Sequence, residues 1–395
     1  MNPSFHIIDF VIVGIYAILL VGVGLWVSRT KKGHTKTAED YFLASKALPW
    51  WAIGSSLIAA NISAEQFIGM SGSGFAGGLA IASYEFMAAL TLIIVGKFFL
   101  PIFIKQGIYT IPEFVEKRFS TNLKTILAVF WIALFVFVNL TSVLFLGGKA
   151  IDTIVGVGDG SMIVPAIIAL AIFAAAYSLY GGLSAVAWTD VIQVALLVIG
   201  GIITTLIALH YVTPDGGILN GISHIADAAS DKFDMVLSRD NKEFNNLPGI
   251  YVLIGGLWVA NLYYWGFNQY IIQRTLAAKS LTEAQRGIAF AAFLKMLIPF
   301  IVVIPGIVAW VMYSEDLYGA RSAFEIAGST ALNNDNAYPW LISTFIPVGV
   351  KGLVLAALAA AIVSSLASML NSTSTIFTMD IYKPYINREA SQTKL

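Results

Sequence analysis

The sequence of 395 residues contains no cysteine and few charged side chains. Without a thiol, the chain forms no disulfide and offers neither a thiolate metal site nor a cysteine nucleophile. Asp, Glu, Lys and Arg make up only 12% of the residues, whereas apolar residues make up 58%. Acidic and basic residues balance at 23 each, so the overall charge predicts no nucleic-acid partner. The composition excludes an ordinary soluble domain, in which roughly 25% of residues are charged, and indicates that the bilayer is the solvent.

Long apolar runs predict an all-α polytopic membrane protein. A helix needs about 20 residues to cross the hydrocarbon core. The first run has no basic residue ahead of it and exceeds the roughly 7–15 apolar residues of a signal-peptide core, so we expect a retained helix. The nine candidate spans are 7–28, 50–72, 77–104, 125–149, 162–181, 187–211, 249–272, 287–313 and 350–378.

The distribution of basic residues predicts the orientation. They concentrate in the connections after the first, third and seventh spans and in the tail, for example at Lys46, Lys117, Arg274 and Arg286. Cytoplasmic connections carry an excess of Lys and Arg. We therefore expect a multi-pass protein of the cell inner (plasma) membrane with its N-terminus outside.

One polar segment interrupts the second span: Asn61-Ile62-Ser63-Ala64-Glu65-Gln66. Polar groups at bilayer depth are costly and mark ion or solute paths. If the helix unwinds here, Ala59 and Ile62 can offer backbone carbonyls to a sodium ion. Alternatively, the Asn and Ser side chains bond to their own backbone and only bend the helix.

The ninth span carries a stripe of small residues that includes Ala361, Ser364 and Ser365. Positions i, i+3 and i+4 share one helical face, so a carbonyl and two hydroxyls can converge on a cation. Alone, such a stripe is more typical of tight helix packing. Only its pairing with the break near Ile62 favours an ion site. The first and fourth spans contain almost nothing ionisable, Asn139 being isolated, and are interpreted as scaffold.

A second polar set lies on other spans. Glu85 and Lys295 either form a structural bridge or flank a neutral polar solute. Asn261, Tyr264 and Trp265 share a face, and an amide beside aromatic rings suits the hydroxyls and C–H face of a sugar. An amino acid, held by its carboxylate at a helix break, remains an alternative, and an interfacial aromatic belt is disfavoured by the mid-span position.

Four stretches, 50–70, 177–186, 258–274 and 356–371, resemble the sodium:solute symporter family, and most closely its galactose-carrying branch. The resemblance implies a leucine-transporter-like fold of two inverted five-helix repeats, each beginning with a broken helix. It divides the single membrane domain 1–395 into a leading helix and cytoplasmic loop (1–48), a first repeat (49–211) and the first three helices of a second (249–380). The last core helices of the family pattern are expected to be missing, as in a truncated chain.

The resemblance also assigns roles to individual residues. Gln66, Glu85, Asn261 and Lys295 would bind the sugar, and Tyr264 would stack on it as inner gate. Asn61, which bonds Tyr264, and Trp265 would complete that gate, whereas Met70 and Tyr84 would form the outer gate. The sodium ligands would be Ala59, Ile62, Ala361, Ser364 and Ser365, with Asp190 on the cytoplasmic ion exit. Ala88 replaces a sugar-contacting serine of the family, so one hydrogen bond is lost.

These observations predict a secondary transporter, not an enzyme, that couples inward movement of sodium, as the co-transported ion, to uptake of galactose or glucose by alternating access. The expected partners are the sugar, Na⁺ and the lipid bilayer, with a homo-oligomer left open. Two alternatives remain: a sodium symporter for an amino acid, vitamin or organic acid, and a sugar sensor or fragment that binds without transport.

Overall fold

The computed structural model describes residues 6–29, 35–63, 65–155, 160–247, 249–326, 328–392 and 394–395, and of Tyr177 only the backbone. These residues form helices, and no strand beyond two isolated bridges. Ala64, within the polar segment, lies outside the described residues. The α-helices are α1 Ile7–Val27, α2 Ala38–Phe42, α3 Trp50–Asn61, α4 Ser71–Gly77, α5 Ser83–Ile94, α6 Leu100–Gln106, α7 Ile111–Arg118, α8 Thr121–Leu134, α9 Leu140–Val155, α10 Ile163–Tyr211, α11 Ile218–Ala228, α12 Leu257–Leu262, α13 Gln269–Leu276, α14 Leu281–Ile298, α15 Ile304–Ser314, α16 Ala320–Phe324, α17 Ala337–Phe345 and α18 Val350–Ile376.

Several helices are joined end to end by wider, π-helical turns. Such turns leave backbone groups without the regular i→i−4 partner and are frequent at functional sites. Two of them, Glu65–Met70 and Tyr263–Phe267, fall in the second and seventh predicted spans. The others are Val95–Phe99, Phe135–Asn139, Val252–Gly256, Pro299–Val303 and Phe377–Ile386.

The apolar helices make this a multi-pass membrane protein. Among the described residues, six helical stretches are long and apolar enough to cross a bilayer, and two shorter apolar helices, Ile163–Ala176 and Val252–Phe267, accompany them. The long stretches are Ile7–Val27, Glu65–Gln106, Thr121–Val155, Ser178–Tyr211, Leu281–Ser314 and Val350–Ile386.

Helix α18 lies at the centre of the bundle. In the apolar window of Val350–Ile386, 83% of the residues are buried, against 17% in the windows of Ile7–Val27 and Thr121–Val155. Its small residues allow close approach of α10 and α3, while α3 also packs against α14. The stripe predicted from the sequence therefore serves packing, and its serines lie deep inside the protein.

The leading helix α1 is fastened to the start of α18 by one carboxylate. Asp9 Oδ1 accepts hydrogen bonds from the backbone N–H groups of Gly349, at 2.7 Å, and Gly352, at 2.8 Å. The first N–H groups of a helix have no partner within it, so an acidic side chain there satisfies them and complements the helix dipole. Tyr16 and Leu20 continue the contact by packing on the small residues of α18. The scaffold role predicted for the first span agrees with this packing.

The fifth and sixth predicted spans form one long helix, α10, that is kinked at Gly182. The backbone of Gly182 has φ +57° and ψ −151°, a region that is essentially restricted to glycine. A Cβ atom at this position would lie 2.4 Å from the carbonyl oxygen of Tyr41 on α2. The kink thus depends on glycine for its conformation and for the close passage of α2.

We expect Gly182→Ala to lower the melting temperature of the purified protein markedly. The forbidden conformation alone costs of order 1–3 kcal/mol, and the clash with Tyr41 adds to it. Gly107→Ala is the matched control, because Gly107 also has positive φ, +62°, but nothing lies within 4 Å of the added Cβ. A thermal unfolding series in detergent in which both variants lose the same stability would contradict this account of the kink.

Candidate functional site

The second predicted span is broken where the polar segment begins. Helix α3 ends at Asn61, and Ile62 takes an extended conformation with φ −80° and ψ 113°. Helical structure resumes at Glu65, where the Ser63 hydroxyl accepts a hydrogen bond from the Glu65 backbone N–H at 3.2 Å. The polar side chain thus caps the new segment and makes the interruption favourable. Because the Glu65 N–H bonds to the Ser63 hydroxyl and the Gln66 N–H to the Ser63 carbonyl, the carbonyls of Asn61 and Ile62 lack the helix bonds that these two donors would make in a regular helix.

The hydroxyl of Ser365 lies among three backbone carbonyls. Its Oγ is 3.0 Å from the oxygen of Ala60, 3.2 Å from that of Ala361 and 3.5 Å from that of Ile62. A hydroxyl has one proton and can donate to only one of them. The Ser365 hydroxyl oxygen and the three carbonyl oxygens are therefore close together in a buried place, and only one proton is available for hydrogen bonds among them. This is a suitable arrangement for a small monovalent cation.

Of the five predicted sodium ligands, Ile62, Ala361 and Ser365 meet directly. Ser364 is turned away, and its hydroxyl donates to Asp190 Oδ1 at 2.5 Å. Ala59 is buried in α3, but the carbonyl that contacts Ser365 belongs to the next residue, Ala60. Ala60 was not predicted, because backbone carbonyls carry no sequence signal and the residue at which a helix ends is uncertain by one or two positions.

Asp190 is enclosed by a polar network. Its carboxylate accepts from Ser56 and Ser364 and lies 3.4 Å from the guanidinium of Arg274. Arg274 also donates to Ser56 Oγ at 2.6 Å, to the Tyr270 carbonyl and to Ser368. Asp190 and Arg274 are both 0% exposed. The two charges compensate each other beside Ser364, which neighbours the predicted sodium ligand Ser365.

Arg274 is buried inside the protein, and the prediction that it lies in a cytoplasmic connection is wrong. It is among the largest fully buried side chains of the described residues. A basic residue near the end of an apolar run is normally assigned to the membrane surface. Here Asp190, 84 residues away in sequence, provides the opposite charge that makes burial tolerable.

Glu85 and Lys295 form an ion pair between α5 and α14. Lys295 Nζ donates to Glu85 Oε2 at 2.5 Å, and both side chains are almost completely buried. The ammonium group lies 5.3 Å from the centre of the Trp265 ring, whose Nε1 donates to Asn261 Oδ1 at 3.2 Å. The structure thus links four of the predicted solute-binding or gate residues into one group. The two side chains bind each other directly, as a structural bridge requires. This geometry is also compatible with a pair that binds a solute between its two charges.

Tyr264 connects the two broken helices. It lies in the π-helical turn Tyr263–Phe267, after which Asn268 is extended with φ −80° and ψ 122°. Its hydroxyl accepts from Asn61 Nδ2 at 2.9 Å and is 2.7 Å from the hydroxyl of Tyr270. The predicted bond between Asn61 and Tyr264 is therefore present. A single phenol thus joins the second and seventh spans.

The predicted solute residues lie around separate spaces. Gln66 and Tyr264 line a cavity of about 250 Å³, together with Ser365. Of the two residues predicted for the outer gate, Tyr84 lines a different cavity, of about 320 Å³, and Met70 packs against the apolar core. Ala88, which replaces a serine of the family pattern, is buried in α5.

Asn139 corrects a second interpretation. The sequence predicts a scaffold role for the fourth span, yet Asn139 and Ser142 line the same 250 Å³ cavity as Gln66. The π-helical turn Phe135–Asn139 ends at this residue and precedes α9. One amide in an apolar run gave no sequence signal strong enough to place it, because the helical phase that turns it inward is set by packing.

Comparison with known proteins identifies the relatives of this arrangement. A model of the sodium:solute symporter family matches residues 41–395. The chain is 65% identical to a sodium/glucose cotransporter of Vibrio parahaemolyticus over 98% of this chain and 71% of the relative. It is 32% identical to the sodium/glucose cotransporter 4 of Mus musculus, over 100% and 58% of the two lengths, and 33% identical to the sodium/myo-inositol cotransporter of Homo sapiens, over 98% and 56%. The chain therefore spans less than two thirds of the length of these animal relatives.

A solved structure supports the same assignment. A Na⁺-coupled sialic acid symporter, described in a substrate-bound outward-open state with a novel Na⁺ site, superimposes with a TM-score of 0.84 at 28% identity, covering 99% of this chain and 78% of that one. The expected leucine-transporter-like fold is confirmed. The match extends over the broken helices, α10 and α18, and the chain is a transporter and not an enzyme. It belongs to the sodium:solute symporter family.

Proposed function

We propose that the protein is a secondary active transporter that couples inward sodium movement to uptake of a sugar, galactose or glucose, by alternating access. The observation that carries this proposal is the position of the Ser365 hydroxyl among the carbonyls of Ala60, Ile62 and Ala361. The name of the relative from Vibrio parahaemolyticus supports sodium and a sugar as substrates. Sodium is itself a transported substrate, which binds and is released in each transport cycle.

The coupling follows from the position of the ion ligands. Ile62 belongs to the break in the second span and Ser365 to α18, so a cation between them fixes the break against the central helix. Asn61 and Gln66 flank Ile62 and are ordered by the same event. Asn61 then positions Tyr264 through their hydrogen bond, so the solute-binding residues are already in place when the solute arrives. Mutual stabilisation of this kind amounts to about 1–3 kcal/mol in typical linked systems.

We assign the sugar to Gln66, Asn261 and the Glu85–Lys295 pair, with Tyr264 stacked on its ring as inner gate. A carboxylate accepts from hydroxyl groups and an ammonium donates to them, so the pair can exchange its mutual bond for bonds to a polyol. Trp265 supports Lys295 and Asn261 from the side. Met70 and Tyr84 are assigned to the outer gate, and Ala59, Ser364 and Asp190 to the surroundings of the ion.

The orientation proposed is N-terminus outside, in the inner (plasma) membrane. Basic residues such as Lys46, Lys117 and Lys279 then lie in cytoplasmic connections, as the excess of Lys and Arg inside requires. In this orientation the second span runs outward from Trp50, and α18 runs inward from Val350. The repeats 49–211 and 249–380 would tilt against each other around the ion.

Uptake by proteoliposomes tests the function. We expect labelled galactose or glucose to accumulate only with an inward sodium gradient. The uptake rate in sodium should exceed that in potassium about 5–150-fold, the factor that corresponds to a coupling free energy of about 1–3 kcal/mol. Unlabelled myo-inositol, sialic acid and amino acids, added in excess, identify the solute by competition. Accumulation of another solute would replace the sugar assignment, whereas sodium-dependent binding without accumulation would favour a sensor.

A further inference from the structure

One glutamine holds the part of the seventh span that follows its break. Helix α13 begins at Gln269, directly after the extended residue Asn268. The side-chain Oε1 of Gln269 accepts a hydrogen bond from the Ile111 backbone N–H at 2.9 Å, and its Nε2 donates to the Tyr109 carbonyl at 3.0 Å. Gln269 is 0% exposed. A single buried amide thus fastens the first residue of α13 to the backbone at the start of α7.

The backbone of α7 needs this partner. Ile111 is the first residue of α7, and the first N–H groups of a helix have no acceptor within it. The Thr110 hydroxyl accepts from the Glu113 N–H at 3.1 Å, whereas the Ile111 N–H is bonded by Gln269. A buried peptide group that loses its partner is costly unless water replaces it. The contact between α13 and α7 is therefore stable while the site is dry and can be released when water enters.

The residue next to Gln269 contacts the predicted inner gate. The Tyr270 hydroxyl lies 2.7 Å from that of Tyr264, which accepts from Asn61 Nδ2 at 2.9 Å. The Tyr270 ring is buried and packs edge-on against the ring of Phe135, with the ring centres 5.7 Å apart. Because buried side chains are close-packed, the Tyr270 hydroxyl moves with its helix. A displacement of α13 from α7 would therefore withdraw the Tyr270 hydroxyl from Tyr264.

The other end of α13 is fastened to different neighbours. Gln273, also 0% exposed, donates to the Phe42 carbonyl of α2 at 2.8 Å. The Leu48 backbone N–H donates to the Ala277 carbonyl at 3.2 Å. In the proposed orientation, both contacts lie at the cytoplasmic end of the span. Gln269 differs from them because it lies at the end of α13 that adjoins the gate.

We propose that Gln269 is a positioning residue of the inner gate, whose amide keeps α13 against α7 and thereby keeps Tyr270 on Tyr264. This inference rests on the proposed sodium-coupled function. When the two backbone partners of Gln269 are released, α13 can move and open the path from the solute to the cytoplasm. A neutral amide suits this role, because its hydrogen bonds contribute little net free energy once water can replace them. The fastening can therefore be broken and remade in each transport cycle.

The absence of cysteine from the chain permits a direct test. Thr275→Cys places the only thiol on α13, where Thr275 is 1% exposed and donates to the Ile272 carbonyl of the same helix. A hydrophilic maleimide labels this thiol only when α13 opens. We expect Gln269→Leu to speed the labelling about tenfold in detergent, since the closed helix loses two hydrogen bonds and leaves two peptide groups unpaired. Sodium with galactose or glucose should slow the labelling again, because a sugar stacked on Tyr264 favours the closed gate.

Two matched controls separate an effect on the gate from a general loosening of the protein. Gln285→Leu also removes a glutamine bond to a backbone carbonyl of another span, that of Gly96 at 3.0 Å, but this bond does not involve α13. It should leave the labelling on α13 unchanged. Thr204→Cys is the second reporter, because Thr204 is 0% exposed and likewise donates within its own helix, to the Gly200 carbonyl at 2.9 Å. Gln269→Leu should not speed the labelling there.

Labelling of Thr275→Cys at the same rate with and without Gln269→Leu would overturn the inference. Equal acceleration at Thr204→Cys, or by Gln285→Leu, would overturn it too, because the helices would then loosen generally. So would labelling that sodium and sugar fail to slow, in a protein that takes up the sugar. The labelling does not require transport. Absence of sodium-dependent uptake by the unsubstituted protein would therefore refute the proposed function separately, while the labelling rates would still show whether Gln269 holds α13.

Discussion

Ser365→Ala is expected to abolish sodium-dependent sugar uptake while the protein stays folded. The substitution removes the oxygen that lies among the carbonyls of Ala60, Ile62 and Ala361. Loss of one ligand from a cation site of four oxygens should weaken sodium binding at least about tenfold, equivalent to roughly 1.4 kcal/mol. At a physiological gradient the break would then remain unfixed and uptake would fall to the background rate.

The measurement is the sodium concentration that gives half-maximal sugar binding, determined alongside uptake in proteoliposomes. Thr373→Ala is the matched control on the same helix, because Thr373 also donates back to a carbonyl one turn earlier, that of Met369 at 2.7 Å. The control should behave like the unsubstituted protein. Uptake by Ser365→Ala that depended equally on sodium would remove this cation site from the mechanism.

Replacing Lys295 should have the second large effect. We expect Lys295→Ala to lower sugar affinity about hundredfold, because a charge-assisted hydrogen bond contributes about 1.5–3 kcal/mol and the substitution also leaves Glu85 without its partner. Breaking a buried ion pair costs about 3–5 kcal/mol, so part of the loss in this single variant reflects stability. Sugar binding and the melting temperature must therefore be measured together.

The double substitution Glu85→Gln with Lys295→Met separates the two roles left open by the sequence. Removing both charges eliminates the unpaired buried group, and such replacements are often neutral for stability. If the pair binds the sugar, the double variant regains its melting temperature but not its affinity. If the pair is only a bridge between α5 and α14, both properties return. The second result would contradict our assignment of the sugar site.

The sequence located the elements that depend on intrinsic chemistry. Asn61 and Ser63 at bilayer depth predicted a break, and α3 does end at Asn61. The small-residue stripe predicted a close approach, and Ser365 does reach the carbonyl of Ile62. These features rest on the cost of polar groups in lipid, which acts on each span alone. The predicted roles of these residues in binding sodium and sugar stay predictions.

Long-range partnerships escaped the sequence. Arg274 was assigned to a connection, because its partner Asp190 is distant in the chain. Asn139 is isolated in its own span, and its place on the cavity wall depends on how the helix is rotated by packing against its neighbours. Each case depends on which helices pack against each other, and this cannot be predicted from the residues of one span alone.

The bond between Asp9 and the start of α18 has a consequence for the transport cycle. The carboxylate of Asp9 on α1 accepts hydrogen bonds from two backbone N–H groups at the start of α18. The two backbones are so close that a Cβ atom added at Gly352 would lie 2.6 Å from Asp9 Cα. If α1 and α18 moved apart at this point, the Asp9 carboxylate would lose the N–H groups of Gly349 and Gly352 as donors. Helix α1 must consequently move together with the start of α18, so the leading helix follows the second repeat, 249–380, whenever that repeat tilts.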